Sequence, residues 1–430
     1  MSYLGVKRAE EFNMTVSAVV DGQKIEWTDK KRYLWIMGAV IPLIPMMIWG
    51  LVAATEWHVW WYFGPFFVFV LIPLFDLVAG LDPNNPPDEL IEALEEDRYY
   101  RWVTFAFIPL QIAGFLWGCF LLGNGTLFGW DPFAASVLPG IAENLTWYDK
   151  VGLATGMGMV AGIGINTAHE LGHKKEELER WFARVALAQT AYGHFYIEHN
   201  RGHHVRVATP EDPASSRMGE TVWEFMPRTV LGSLRSAWGL EKKRFARLKK
   251  SPYSLKNDLI NAWMFTVLLW GFAMAAFGWQ IFPFLLIQAV LGIWLLESVN
   301  YLEHYGMKRA KLESGRYERV NPSHSWNSNN IGTNVLLYHL QRHSDHHANP
   351  TRRYQALRDF KAAPVLPTGY AGMIVATWVP QIWRKVMDER VLGHYDGDIT
   401  QANVHPRMKQ KYYARFGATP PQEAPEEVTV

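Results

Sequence analysis

The sequence predicts an all-α integral membrane protein with six transmembrane helices and a histidine-rich cap on the cytoplasmic side. Uncharged runs of about twenty residues, enough to cross a bilayer as a helix, recur along the chain between strongly charged blocks. Charged residues make up only 19% of the chain, below the roughly 25% that is usual in soluble domains. The 20 tryptophans also fit side chains that anchor helices at the membrane–water interface.

The uncharged runs give the six spans in order. The first four occupy residues 33–54, 59–75 with an extension to 80, 102–122 and 151–168. The run 259–296 is too long for one span, and Gly278, Gln280 and Pro283 near its middle predict a tight turn between two helices. Buried helices of soluble proteins are usually shorter and amphipathic, so these runs indicate a membrane protein.

Lysine and arginine predict the orientation, because they are enriched in cytoplasmic loops. They precede the first span and are dense between the fourth and fifth spans, whereas the loops 55–58, 123–149 and 278–283 contain none. Both termini are therefore expected in the cytoplasm. No cleavable signal peptide is expected, because residues 1–32 are polar.

The same boundaries divide the chain into consecutive segments. We expect the following order: an N-terminal cytoplasmic segment, 1–32; spans one to four, 33–168, with an outer-face loop near 123–149; a cytoplasmic block, 169–257; spans five and six, 258–300; a second cytoplasmic block, 301–417; and a Pro/Glu-rich, disordered tail, 418–430.

Composition also excludes several kinds of site and partner. A single cysteine, Cys119, excludes a disulfide framework, a cysteine-based zinc site and a built-in iron–sulfur centre. A net charge of +1 gives no reason to expect a nucleic-acid partner.

Nine of the 15 histidines form four clusters that point to metal binding. The clusters are His169 and His173, then His199, His203 and His204, then His304, and finally His343, His346 and His347. A spacing of three or four places side chains on one helix face, close enough to share a cation. Nine imidazoles exceed the needs of one tetrahedral zinc and are enough for two neighbouring ions.

Two other interpretations explain less of this pattern. The first cluster fits H-E-x-x-H of membrane zinc proteases, with Glu170 as the general base, but a protease leaves the other clusters without a role. A metal transporter would carry histidines and carboxylates inside its spans, whereas these clusters lie at the cytoplasmic ends and beyond.

The clusters and their flanks resemble the integral-membrane di-iron hydroxylases and desaturases, and more narrowly the alkane 1-monooxygenases. The resemblance covers residues 30–400. The matching stretches are NTAHELGHK (166–174), EHNRGHH (198–204), ATPEDPASSR (208–217), NYLEHYG (300–306), SWNSN (325–329) and LQRHSDHH (340–347). The element ending in His304-Tyr-Gly separates alkane hydroxylases from most desaturases.

The resemblance implies a di-iron cap in which all nine histidines ligate two iron ions, with O2 as co-substrate. It implies terminal hydroxylation of medium-chain n-alkanes in a bacterial inner membrane, with a fatty-acyl desaturase or another methyl hydroxylase as the alternative. It also implies rubredoxin as the electron donor, reduced by an NAD(P)H-dependent reductase. Rubredoxins are acidic, so the Lys/Arg-dense face fits electrostatic steering, although the same charges also satisfy the orientation rule.

Polar residues near the clusters are candidates for orienting the imidazoles, because a ligating histidine usually donates its other N–H to an acceptor. The candidates are Glu170, Asp212, Glu303, Asp345, Asn300 and Asn334. Each also fits an ordinary surface or capping role.

Trp60 and Trp61 lie at the outer end of the second span, about one helix length from the expected metal site. They are candidates for closing a channel in which an alkane lies end-on. Both equally fit an interfacial aromatic belt.

If Trp60 closes such a channel, Trp60→Ser extends activity towards longer alkanes and leaves octane turnover largely intact. Alcohol yields from octane, dodecane and hexadecane test this. A tryptophan that faces lipid predicts an unchanged profile, which would reject Trp60 and leave Trp61 to be tested.

Overall fold

Six helices long and apolar enough to cross a membrane form a bundle in the part of the chain that the structure describes, as the uncharged runs predict. The structure is a computed structural model and describes residues 15–130, 132 and 145–418. Spans 1 to 6 are Arg32–Thr55, His58–Ala79, Arg98–Leu122, Trp147–Gly172, Asp258–Phe277 and Trp279–His304. The predicted fold class is therefore confirmed. Residues 1–14, much of the predicted outer-face loop (131 and 133–144) and 419–430 lie outside the described residues.

A cap of further helices covers one end of the bundle, where spans 4 and 6 end. Its helices are α1 Glu177–Ala188, α2 His194–Glu198, α3 Val222–Arg247, α4 Ile331–Leu336, α5 His343–Ala348, α6 Tyr370–Thr377, α7 Pro380–His394 and α8 Lys409–Arg415. A π-helical segment, His199–His203, continues α2, and a single turn, His204–Arg206, follows it. Further short helical elements are Asp88–Leu90, Ile91–Glu96, Pro322–His324, Tyr354–Ala356, Ile399–Gln401 and Pro406–Met408.

Spans 1 and 2 are irregular helices. Span 1 runs through Arg32–Trp35, Ile36–Val40, Ile41–Leu43 and Ile44–Thr55, which alternate 3-10 and α geometry. Span 2 runs through His58–Tyr62 (3-10), Phe63–Phe66 (α), Phe67–Leu71 (π) and Ile72–Ala79 (α). Prolines within both spans remove backbone donors, which explains these local departures from α geometry.

One element was not predicted, an antiparallel hairpin ahead of span 1. Strand β1, Thr15–Val20, pairs with β2, Gln23–Thr28, from Thr15 opposite Thr28 to Val20 opposite Gln23. Asp21 and Gly22 both have positive φ, as a two-residue hairpin turn requires. The inward-facing Val16 packs against Leu94 and Ala356 and so joins the hairpin to the cap.

Span 4 lies at the centre of the bundle and contacts spans 2 and 6 through glycines. A Cβ at Gly64 of span 2 would overlap the backbone of Gly156, and one at Gly162 would press against Leu295 of span 6. Small residues at these points let the helix backbones approach closely, which supplies the packing that holds helices together in lipid. Span 4 is thereby fixed against the two spans that border the cap.

Buried ion pairs fasten the cap to the bundle. Asp82, just after span 2, pairs with Lys31 and accepts a hydrogen bond from Arg342 Nη2 at 2.8 Å. Arg32, at the start of span 1, pairs with Asp97, just before span 3. These side chains are almost completely buried, so removing one partner leaves an uncompensated charge in a dry interior. Three distant parts of the chain are thus held in one arrangement.

Gly114 of span 3 gives a test of this packing, because a Cβ there would overlap the carbonyl oxygen of Pro42 in span 1. We expect Gly114→Ala to lower stability by about 1–3 kcal/mol, the usual cost of overpacking. The midpoint of thermal unfolding in detergent measures this. Gly271→Ala in span 5 is the matched control, because nothing lies within 4 Å of its Cβ position. Equal midpoints for the two variants would contradict the close contact.

Candidate metal centre

All nine clustered histidines come together where the cap meets the bundle. His169 and His173 lie at the end of span 4, and His304 is the last residue of span 6. The π-helical segment and the turn after it supply His199, His203 and His204, and α5 supplies His343, His346 and His347. Residues up to 178 positions apart in the sequence therefore share one site (347 − 169 = 178).

The nine side chains divide into two groups, each with one ligand atom per residue within 4.8 Å of every other. The first group is His169, His173, His199, His204 and His346, and the second group is His203, His304, His343 and His347. The adjacent residues His203 and His204 belong to different groups, as do His346 and His347. Each pair of neighbours in sequence thus connects the two groups.

The distances between ring nitrogens fit a shared cation in each group. In the first, His346 Nε2 lies 2.9 Å from His169 Nε2 and 3.1 Å from His204 Nε2. In the second, His343 Nε2 lies 2.9 Å from His347 Nε2 and 3.3 Å from His304 Nε2. Two imidazoles bound at 2.0–2.1 Å to one metal ion place their nitrogens about 3 Å apart. The two groups therefore have the spacing of two metal positions.

Ring nitrogens in both groups are buried without a hydrogen-bond partner. They are His173 Nε2 in the first group and, in the second, His203 Nε2 together with Nδ1 of His304, His343 and His347. A buried polar atom without a partner is unfavourable and calls for an explanation. A metal ion in the first group would accept the lone pair of His173 Nε2, and one in the second group would accept that of His203 Nε2. The residues therefore fit bound metal.

A metal ligand must be a neutral imidazole. Burial, together with the neighbouring histidines, holds the pKa of His173, His199, His204, His343, His346 and His347 well below the ordinary value. Their lone pairs are therefore free of protons at neutral pH.

Two of the predicted orienting residues lie against ligand histidines, both in the second group. His203 Nδ1 donates to Asp212 Oδ2 at 2.8 Å, and the Ser215 hydroxyl donates to the same oxygen at 2.6 Å. Although burial opposes its ionisation, these neighbours lower the pKa of Asp212 to about 2. The hydrogen bond to Asp212 fixes Nε2 as the nitrogen of His203 that faces the group. Glu303 Oε1 lies 3.2 Å from His343 Nδ1, without the geometry of a hydrogen bond.

The other predicted orienting residues bind elsewhere. Asp345 accepts two hydrogen bonds from Arg352 Nη1, both at 2.8 Å. Asn334 Nδ2 donates to Asn329 Oδ1, and Asn334 Oδ1 accepts from Gln341 Nε2. Asn300 is buried in span 6, one turn after Glu297. These residues stabilise the scaffold around the ligands.

Glu170 also bears on the protease interpretation of the first cluster. Its Oε1 pairs with Lys174 Nζ at 2.9 Å and accepts a hydrogen bond from the Tyr354 backbone N–H. His169 and His173 meanwhile share their group with histidines from two other clusters. A carboxylate neutralised by a buried lysine is a poor general base, so the geometry argues against a protease.

Arg342 is a scaffold residue that the sequence analysis missed. It is fully buried beside His343 and donates to Asp82 and to the carbonyl oxygens of Leu357 and Asn84. Its position directly before a histidine cluster is the only signal in the sequence, and its partners come from distant segments. Arg342 therefore positions α5, which carries three of the nine histidines.

A narrow apolar cavity lies between span 4, the neighbouring spans 2 and 6, and the cap. Its walls include Val68 and Ile72, Ile163, Leu295 and Val299, and Ile374 of α6. It reaches Asn166, one turn before His169, and Val299, five residues before His304. The cavity thus ends about one helical turn from His169 along span 4, and the nine clustered histidines are not among its walls.

Neither predicted channel tryptophan lines this cavity. Trp60 Nε1 donates to Thr55 Oγ1 at 3.0 Å near the opposite end of the bundle. Trp61 is fully buried, with Gly152 of span 4 against its side chain. The role of Trp60 as a stop for long substrates stays a prediction.

Comparison with known proteins agrees with this geometry. Residues 145–377 match the family of fatty acid desaturases. The chain is 43% identical to the alkane 1-monooxygenase of Pseudomonas putida over 93% of this chain and 95% of that protein. It is 44% identical to the alkane 1-monooxygenase of Acinetobacter baylyi over 91% and 93% of the two chains. The xylene/toluene monooxygenase hydroxylase component XylM of Pseudomonas putida is 23% identical over 78% and 85%.

Asp212 provides a test of metal binding that does not depend on catalysis. We expect Asp212→Ala to weaken metal binding by about 10–100-fold, because His203 loses the acceptor that orients it. Elemental analysis after dialysis against a graded series of chelator concentrations measures this. Glu211→Ala is the matched control, since that exposed carboxylate accepts only from the Tyr317 hydroxyl in the described contacts. Identical metal retention in both variants would contradict the assignment.

Proposed function

The chain belongs to the alkane 1-monooxygenase family, and we propose that it hydroxylates the terminal methyl group of medium-chain n-alkanes. Two groups of clustered histidines close to an apolar cavity are the observation that carries the proposal. The reaction converts R-CH3, O2, two electrons and two protons into R-CH2OH and water. The enzyme is an oxidoreductase.

The substrate explains why metal is needed. A terminal methyl group has no acidic proton, no leaving group and no electrophilic centre, so side-chain acid–base catalysis cannot cleave its C–H bond. Two iron ions bound by the histidines would supply the activation of O2 and the oxidation of that bond. Imidazole suits iron, and the family supports iron over zinc.

The protein's own residues would bind, orient and exclude water. The first group of five histidines would hold one ion and the second group of four would hold the other. Asp212 would keep His203 in the correct tautomer. The buried surroundings would keep bulk water from the site, which limits wasteful reduction of O2.

The cavity supports an unbranched hydrocarbon as substrate. Its described walls are almost entirely apolar, and transfer of alkane from water into such surroundings is favourable by about 0.8 kcal/mol for each buried CH2.

The electrons would come from rubredoxin, which an NAD(P)H-dependent reductase would reduce. The sequence carries no cysteine cluster for an iron–sulfur centre and no nucleotide-binding glycine fingerprint. Exposed lysines on α3, including Lys242 and Lys243, offer positive charge for an acidic donor. We propose that the cap faces the cytoplasm of a bacterial inner membrane, as the distribution of lysine and arginine indicates.

Product analysis is the decisive test. Purified protein loaded with iron is incubated with octane, O2, rubredoxin, its reductase and NADH. We expect 1-octanol in proportion to the NADH consumed, and no product when rubredoxin is left out. An alkene would identify a desaturase, and octanol formed equally well without rubredoxin would reject that donor.

The element that ends in His304-Tyr-Gly separates alkane hydroxylases from most desaturases, and His304→Ala tests whether this histidine holds metal. We expect hydroxylation to be abolished and metal content to fall from about two ions per chain towards one, because the second group keeps only three imidazoles. Elemental analysis and octanol yield measure these effects. His394→Ala is the control, since that half-buried cap histidine lies outside both groups. Full activity with one ion per chain would contradict the two-iron proposal.

A further inference from the structure

A further uncharged run, residues 362–383, lies in the cap sequence. It is as long as the runs that form the membrane spans, yet the structure does not fold it as one long helix. It contains α6, a turn at Trp378 and Val379, and the start of α7 at Pro380. Proline cannot continue α6 but fits the first turn of α7. The run therefore has the composition of a membrane segment and the shape of a helical hairpin, which we name the α6–α7 hairpin.

The first limb of the α6–α7 hairpin runs alongside span 2. Gly369, just before α6, lies against Asp76 near the cap end of span 2, because a Cβ at Gly369 would overlap the Asp76 carboxylate. At the other end of α6, the Trp378 ring lies 4.9 Å from that of Phe69, near the middle of span 2. The limb thus follows span 2 from its cap end to its middle.

The second limb returns alongside span 6. The Trp378 ring lies 5.4 Å from that of Trp294. Five residues later, the Trp383 ring of α7 lies 5.3 Å from the rings of Tyr301 and Tyr305, which are nearer the cap end of span 6. The turn is therefore the part of the hairpin that lies farthest from the cap.

The turn lies at the depth of the hydrocarbon. Phe69 and Trp294 are each ten residues from the cap-side end of their spans (79 − 69 and 304 − 294), which is about 15 Å of helix. Counted from the opposite end, Trp294 lies about 22 Å along span 6, within the roughly 30 Å of hydrocarbon that a span crosses. Because Trp378 contacts both rings, the turn lies at the same depth.

The two sides of the hairpin differ in exposure. On the inner side, Ala371 and Ile374 are buried and line the apolar cavity together with residues of spans 2 and 6. On the outer side, Val375, Val379 and Ile382 are 37%, 43% and 52% exposed. Exposed apolar surface is unfavourable in water, whereas acyl chains at this depth would cover it without cost.

The backbone of the turn meets the requirement that lipid imposes, because hydrocarbon offers no hydrogen-bond partner. The N–H groups of Trp378 and Val379 donate to carbonyl oxygens of α6 at 3.3 and 3.4 Å. The carbonyl oxygen of Val379 accepts a hydrogen bond from an N–H of α7 at 3.0 Å. The next residue, Pro380, has no N–H to satisfy.

Trp223, in the first turn of α3, satisfies the remaining carbonyl of the turn. Its Nε1 donates to the Trp378 carbonyl oxygen at 3.3 Å, and its ring stacks on that of Trp294 with ring centres 6.4 Å apart. Trp223 is nevertheless 53% exposed. A tryptophan with its N–H bonded and its ring exposed suits contact with lipid. The start of α3 therefore lies beside the turn at the same depth.

Charged residues return where the hairpin leaves this depth. No lysine, arginine, aspartate or glutamate lies between Lys361 and Arg384. Arg384 Nη2 donates to the Gly219 carbonyl oxygen at 2.6 Å, and Lys385 is exposed. Both side chains lie more than one helical turn beyond Pro380, from where long basic side chains reach the membrane surface.

We propose that the α6–α7 hairpin is re-entrant, with its turn inserted into the bilayer leaflet on the cap side and in contact with the acyl chains of phospholipids. The sequence analysis placed all of 301–417 in a cytoplasmic block, and the proposal moves 370–383 into hydrocarbon. Because α6 also forms one wall of the apolar cavity, that wall lies inside the bilayer. The proposal depends on neither metal nor turnover.

Spin labelling measures the depth of the turn. Val379→Cys carries a nitroxide, and the unvaried protein verifies that the buried Cys119 takes no label. The full-length protein is labelled in detergent and reconstituted into phosphatidylcholine vesicles. Power-saturation EPR then compares collisions with oxygen, which concentrates in hydrocarbon, and with a water-soluble nickel chelate present on both faces of the membrane. We expect the oxygen collisions to dominate.

Two exposed apolar residues supply matched controls. Val290→Cys is the lipid reference, because Val290 lies within span 6. Leu312→Cys is the water reference, because Leu312 lies between Lys311 and Glu313 in the chain that follows span 6. We expect the ratio of oxygen to chelate collisions at Val379 to lie near that at Val290 and several-fold above that at Leu312.

The proposal is overturned if the label at Val379 meets the chelate as often as the label at Leu312. A label shielded from both reagents, with dipolar broadening of its spectrum, would identify a second copy of the chain as the occupant and would also overturn it. Val375→Cys and Ile382→Cys repeat the measurement on the same face. A thermal unfolding midpoint equal to that of the unvaried protein verifies the fold of each variant.

Discussion

The structure depends on bringing nine imidazoles from four chain segments into one buried space where the cap meets the bundle. Within each group the ligand atoms lie within 4.8 Å of one another, and both groups contain buried ring nitrogens without a hydrogen-bond partner. Crowded lone pairs repel one another, and a cation between the rings of each group would relieve that repulsion. The bundle, the cap and the buried ion pairs hold four chain segments in place against that repulsion.

The supporting contacts are strongest where a ligand segment would otherwise be mobile. Span 4 and span 6 are fixed by helix packing, whereas α5 is six residues long and cannot be stable alone. Arg342 anchors its start to Asp82, and Arg352 binds Asp345 in its middle. Ion pairs between buried groups add less to stability than to uniqueness of geometry, and geometry is what a metal site demands.

The sequence was sufficient for features that are local along the chain. Span lengths and histidine spacing are such features, and the six spans are confirmed. The hairpin also carried a readable signal, because Asp21-Gly22 lies between two alternating segments, but it was overlooked. How the histidines divide between two groups was not readable, since the π-helical segment separates the adjacent His203 and His204. Asp212 and Asp345 looked equivalent in the sequence, and only tertiary contacts give one to a histidine and the other to an arginine.

The position of α5 has a consequence for biosynthesis. The first group needs His346, and the second needs His343 and His347, so both stay incomplete until residue 347 has left the ribosome. All six spans are made before that point. The two groups of histidines can therefore come together only in a chain whose six spans have all been synthesised.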